Sequence, residues 1–256
     1  SLVVIAGSQT SIPPFEVEKL RQYLSRANGR MLIFLEPTVN HGLEDLFWDW
    51  GILADDMVVL DSYDRLRATG GDLLIEQFGE HPITRLILNQ SLRILTGLSR
   101  PVREDPGAPF DERLTTLPLM ATSNSSWAER SYRQATAHRY DENVDLPGPI
   151  PIAMLSERTA GEQLGLSIPG GRLITFGNAD FIANGRFNAA GNQVLFANVI
   201  NWMLDQKNLL EIPPRRLERF QLPLSQSDLQ NAFFRLLALP GAVALLGIFV
   251  AFARRK

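Results

Sequence analysis

Apolar and polar positions in the first part of the chain are arranged in blocks that spell strand, helix, strand. Leu2 to Ala6 is a continuous apolar run that breaks at Gly7-Ser8-Gln9-Thr10, the pattern of a buried strand entering a loop. A helix follows: Pro13 and Pro14 suit a first turn, Glu16 and Glu18 favour the positive end of its dipole, and Val17, Leu20 and Leu24 share one face. It ends near Asn28-Gly29. Met31 to Leu35 is a second buried strand, stopped by Glu36-Pro37, and the short connections predict a right-handed βαβ unit of a parallel sheet.

Leu43 to Trp50 reads as a helix closed by Gly51, and Met57 to Leu60 as a third strand continuing the same sheet. Between Asp61 and Asp111 the periodicity weakens, and Leu86 to Leu88 and Leu92 to Leu95 read as irregular strands. Leu114 to Ala121 is strand-like despite Pro118, Thr122 to Pro149 is a polar excursion carrying Trp127, Tyr132 and Tyr140, and Ile150 to Leu155 and Arg172 to Phe176 rejoin the sheet. Asn192 to Leu204 is helical and apolar almost all round, so it is buried on several sides. Asn198 and Asn201 lie on one face of it and are expected to bond loop backbone at the sheet edge. The fold class is α/β, a mostly parallel sheet flanked by helices.

The end of the chain has a different pattern. Leu236 to Ala253 is apolar and free of charge and closes on Arg254, Arg255 and Lys256. Its eighteen residues rise about 27 Å as a helix, close to the roughly 30 Å hydrocarbon core of a bilayer, which predicts a transmembrane helix. Pro240 and Gly241 are tolerated in such helices. The expected organisation is an α/β domain over 1–205, a Pro-rich juxtamembrane linker over 206–231 with Pro213 and Pro214, and a span with a basic tail over 232–256. The three clustered terminal cations outweigh Arg216, Arg219 and Arg235 on the other side, which predicts a cytoplasmic carboxy terminus and a domain outside the cytoplasm. Ser1 leads straight into the first strand without an initiator methionine or signal peptide, so the sequence reads as a fragment whose upstream part carries the insertion signal.

Charge narrows the function classes. The formal net charge is -3 and there is no basic block, which argues against a nucleic-acid partner, and cysteine is absent. In a parallel α/β sheet ligands bind beyond the carboxyl ends of the strands, which selects Gly7, Ser8 and Gln9 after the first strand, Glu36 after the second, and Asn178 and Asp180 after Arg172 to Phe176. Ser8 lacks the Gly-x-Ser-x-Gly elbow of a nucleophile and is expected to bond its own turn. Gly7 lacks the further glycines of a dinucleotide loop, so no cofactor is predicted. Glu36 and Asp180 either converge as paired carboxylates or bond loop amides and fix the turns. His41, Glu44 and Asp45 have the residue types of a metal site but read better as a capped helix start, and no metal or catalytic residue is assigned.

Several segments together carry a resemblance. Val4-Ile5-Ala6-Gly7-Ser8-Gln9-Thr10, Asn28-Gly29-Arg30, Glu36-Pro37, Gly42-Leu43-Glu44-Asp45-Leu46, His81-Pro82-Ile83-Thr84, Thr122-Ser123 with Ser126-Trp127-Ala128-Glu129, Phe176-Gly177-Asn178-Ala179-Asp180-Phe181 and Asn201-Trp202 follow in order across the soluble part. This resembles the auxiliary, GldG-like subunits of gliding-motility-type ABC transport systems, whose Rossmann-like, amidotransferase-like core is similar to the intraflagellar-transport domain. The resemblance implies a non-enzymatic scaffold subunit in a bacterial inner membrane beside an ABC permease and its ATPase. Because the strand ends offer no catalytic set, the contacts are expected from the anchor, the linker and the loops around Trp127, through Trp127, Pro213, Pro214, Arg235 and Pro240. The alternatives are an extracytoplasmic hydrolase or ligand-binding receptor using the strand-end crevice, and an accessory subunit of another membrane complex.

Overall fold

The computed structural model describes residues 1–25, 28–61, 72–134, 138–159, 170–189 and 191–206, the backbone of 162–163 and 166–167, and Phe233, Leu236, Pro240 and Arg254. Two compact units divide the chain, 1–63 with 71–217 and 64–70 with 218–256. Of the second, only those last four residues are described, the first three helical and all four exposed. Nearly all of the expected linker and anchor lies outside the described residues, among which no helix is long and apolar enough to cross a membrane.

The first unit opens with β1 (Val3–Ala6), α1 (Pro14–Leu24) and β2 (Arg30–Phe34), and β1 pairs β2 in parallel with Val3 opposite Met31. Pro14 takes the first helical position, where its missing N–H costs nothing. Then come α2 (Glu44–Asp49), β3 (Ile52–Leu53), β4 (Val58–Asp61), β5 (Leu73–Ile75), β6 (Gln77–Phe78), α3 (Pro82–Asn89), β7 (Ile94–Thr96) and β8 (Arg103–Glu104). The chain continues through β9 (Leu114–Ala121), β10 (Ser126–Glu129), β11 (Leu146–Pro147), β12 (Pro151–Arg158), β13 (Glu162–Gln163), β14 (Leu166–Ser167), β15 (Arg172–Phe176) and α4 (Asn192–Met203).

The main sheet has the order β1-β2-β15-β12-β9-β6. Its first three strands are parallel, but β15, β12, β9 and β6 pair antiparallel in succession, so the sheet is mixed, not mostly parallel. A parallel neighbour needs a crossover, usually helical, and no helix lies between Asp111 and Arg172 among the described residues. β2 is buried on both faces: Met31 and Ile33 join α1 and α2 in one core, Leu32 and Phe34 join α3 and α4 in the other. β1 is an edge strand rather than a buried one, with Val4 47% exposed.

Two further expectations fail locally. Leu86 to Leu88 lies inside α3, because Ile83, Leu86 and Ile87 repeat at helical spacing and His81 with Thr84 closes a capping box ahead of them. Met57 to Leu60 does not extend the main sheet: β4 pairs β10, which pairs β11, in a sheet of three strands of which the last two come from the stretch that reads as polar.

α4 is fixed by two asparagines. Asn198 donates to Ile83 O in the first turn of α3 (3.0 Å), a helix rather than a loop, while Asn201 is half-buried. Asn192, fully buried, accepts from Leu95 N (2.9 Å) and donates to Leu95 O (2.7 Å), Phe181 O (3.2 Å) and Arg186 O (3.0 Å). One side chain therefore holds β7, the 180–186 turn and the start of α4 together. Asn192→Ala should lower unfolding free energy by about 3 kcal/mol or more in a urea titration, since each buried polar group left unpaired costs about 1 to 3 kcal/mol.

Candidate functional site

Because β1, β2 and β15 are parallel neighbours, the loops at their carboxyl ends form one crest. Gly7 N donates to Phe34 O (2.9 Å) and Leu35 N to Phe176 O (2.9 Å), which brings the first two loops to the height of the third. Gly7 has φ +67°, and a Cβ there would lie 2.6 Å from Glu36 Oε1 and 3.1 Å from the Ala179 methyl. All three loops thus meet over one residue that must be glycine.

The polar groups of the crest are largely spent on one another. Ser8 Oγ donates to Thr10 O (2.6 Å), the turn-bonding role expected of it, and Gln9 Nε2 donates to Gly7 O (3.2 Å). Asn178 is buried: its Oδ1 accepts from Thr96 Oγ1 (3.1 Å) and from Asp180 N, and its Nδ2 donates to Leu98 O. Asp180 keeps a half-exposed carboxylate 3.4 Å from Arg186 Nη1, and Arg186 also holds Asp72. The charge of Asp180 reaches Glu36. Burial, then the charge of Asp180, pushes the Glu36 carboxyl above its usual range, against a hydrogen bond from Gln9.

Sequence reasoning missed the residue that braces this crest. Arg100, buried, donates from Nε to Asp55 O (3.1 Å) and from Nη1 to Val39 O (3.0 Å), and its backbone N donates to Gly177 O (3.0 Å). Asp56 lies 3.9 Å from its guanidinium and is itself held by Tyr132 Oη (2.8 Å) and Arg133 Nη1 (2.6 Å). A single arginine in a loop has no periodicity to announce it. Nearby, His41 accepts from Leu43 N at Nδ1 (2.9 Å), and Glu44 Oε1 lies 3.7 Å from the same nitrogen. Burial, then Arg100, lowers its pKa, and the ring accepts from the residue just ahead of α2, but no side chain caps that helix, so the capped start expected of His41, Glu44 and Asp45 is met only by this bond to Leu43.

The expected partner residues are not gathered in one place. Trp127 sits within β10 between Leu60 and Pro147, half-buried, with Nε1 donating to Glu129 Oε2 (3.3 Å), so it belongs to a strand and not to an exposed loop. Pro213, Pro214 and Arg235 lie outside the described residues, and Pro240 is exposed.

No protein-family model and no curated protein matches the chain. Among solved structures the mmIFT52 N-terminal domain is similar, with a TM-score of 0.52 at 15% identity over 84% of this chain and 79% of that one. At that identity the likeness concerns the fold, and it agrees with the Rossmann-like α/β expectation in its broad form.

The Glu36 carboxyl supplies a test of the crest. A group whose folded pKa is raised favours the fold fully below its ordinary value near 4.5 and loses that contribution as pH rises through the folded value. Glu36→Gln should therefore raise the melting temperature at pH 7, and the gain over the parent should vanish below about pH 4.5. An equal gain at both pH values would mean that the carboxylate is not under strain from burial and Asp180.

Proposed function

We propose that this chain is a membrane-anchored, non-enzymatic auxiliary subunit of an ABC-type transport complex, GldG-like in kind, with its α/β domain outside the cytoplasm and its action exerted through binding. The observation that carries the reading is the close approach of the crest loops: Glu36 and Ala179 both come up against Gly7 at the position where an α/β enzyme would place its cleft. Ser8, the crest hydroxyl nearest to a nucleophile's place, donates its hydrogen bond to the Thr10 carbonyl and not, among the described residues, to a base. The apolar Leu236 to Ala253 run with its basic tail supports the anchor, and the ordered motifs from Val4 to Trp202 support the family. A ligand-binding receptor is the second reading, favoured by the charge of the half-exposed Asp180 reaching Glu36.

Purifying the full chain in mild detergent should bring down a permease and an ATPase. The double substitution Glu36→Asn with Asp180→Asn should leave both the recovered complex and its transport function unchanged. Loss of function in a normally assembled complex would favour the receptor or enzyme reading, and recovery with an unrelated membrane assembly would move the subunit out of transport.

A further inference from the structure

At the opposite end of the sheet from the crest, the amino-terminal ends of β2 and β15 grip the end of α4. Arg172 donates from Nε to Glu157 Oε1 (2.8 Å) and from Nη1 to Asp205 Oδ1 (2.6 Å) and Trp202 O (3.3 Å). Arg30 donates from Nη1 to Met203 O (2.6 Å) and from Nη2 to Asp205. Asp205 is held at φ +57°, and Gln206 N closes on Asn201 O (2.7 Å). Two cations thus cap the negative end of the helix where the chain leaves the described domain.

The Arg172 guanidinium also lies over the Trp202 ring (4.3 Å), and His81 meets that ring edge-on, centroids 5.0 Å apart at 74°. His81 is the first-turn acceptor of α3: its Nδ1 takes the Ile83 N–H at 3.3 Å, which requires that nitrogen to be unprotonated. We propose that His81, Trp202 and Arg172 form an acid-released latch, in which protonation of His81 loosens the entrance of α3 and the exit of α4 together. The proton removes the acceptor from Ile83 N–H and sets a second cation beside Arg172 and Arg85, with Glu157 as the counter-charge already engaged by Arg172. Burial first, then the two arginines, hold the ring to about pH 4 against the pull of Glu157. The folded value lies below the ordinary 6.5, so the latch is closed above that pH and weakens as pH falls towards 4.

The test is hydrogen exchange by mass spectrometry on the full chain between pH 6.5 and 4, corrected for intrinsic exchange. Peptides covering Ile83–Arg85 and Trp202–Gln206 should lose protection together, the opening constant rising by up to about tenfold per pH unit. His81→Asn, which keeps a capping oxygen but does not titrate in this range, should abolish the pH dependence at both places, and His81→Ser substitutes for it if that variant does not fold. The latch is overturned if the parent's α4 exit stays protected while α3 opens, if neither opens, or if the capped variant opens as the parent does.

Discussion

The double burial of β2 is the constraint on which the rest depends. Met31, Leu32, Ile33 and Phe34 are all fully buried, alternately into the α1–α2 core and the α3–α4 core. A strand in that position can leave no backbone group to water, so it must be paired on both sides, and it is paired in parallel on both, to β1 and to β15. Parallel pairing on both sides sends all three strand ends the same way. The crest and the arginine grip are the two consequences, one at each end of the same three strands.

The two ends differ in charge for a physical reason. The carboxyl ends carry Glu36 and Asp180, close enough for one to raise the pKa of the other. The amino ends carry Arg30 and Arg172, opposite each other in register, where α4 ends on the carbonyl of Met203 and on that of Trp202, which also takes the Asp205 N–H (3.1 Å). Cations placed there answer the helix dipole and its last carbonyls at once, and Asp205 keeps both guanidinium groups in place.

What was legible in the chain followed from local periodicity. The opening βαβ unit, β9 with its Pro118, β15 and α4 stand where the apolar runs put them. The convergence of the 7–10, 36–37 and 177–180 loops was legible too, because it follows once three strands are parallel. Strand direction beyond β15 was not, since an apolar run reads the same whether its neighbour is parallel or antiparallel. Nor was α3: its apolar side chains are broken into short pieces, and the cue that begins the helix is a histidine acting as a cap. Asn192 and Arg100 were invisible for a related reason, as each acts through backbone groups far away in sequence.

A parallel α/β sheet always presents loops at the carboxyl ends of its strands, so the fold shared with the mmIFT52 N-terminal domain leaves open what those loops do. A Cβ at Gly177 would lie 2.0 Å from Arg100 O, as one at Gly7 would lie 2.6 Å from Glu36 Oε1, so the neighbouring loops come this near because the two positions have no side chain. Arg100, bonded through its side chain to Val39 O and Asp55 O, holds Gly177 O with its backbone N–H. A cleft built for catalysis needs the reverse, room over the strand ends with donors and bases aimed into it. The proposed scaffold role draws on these close approaches and on polar atoms bound within the loops, Ser8 Oγ on Thr10 O and Asn178 on Thr96 Oγ1 and Leu98 O.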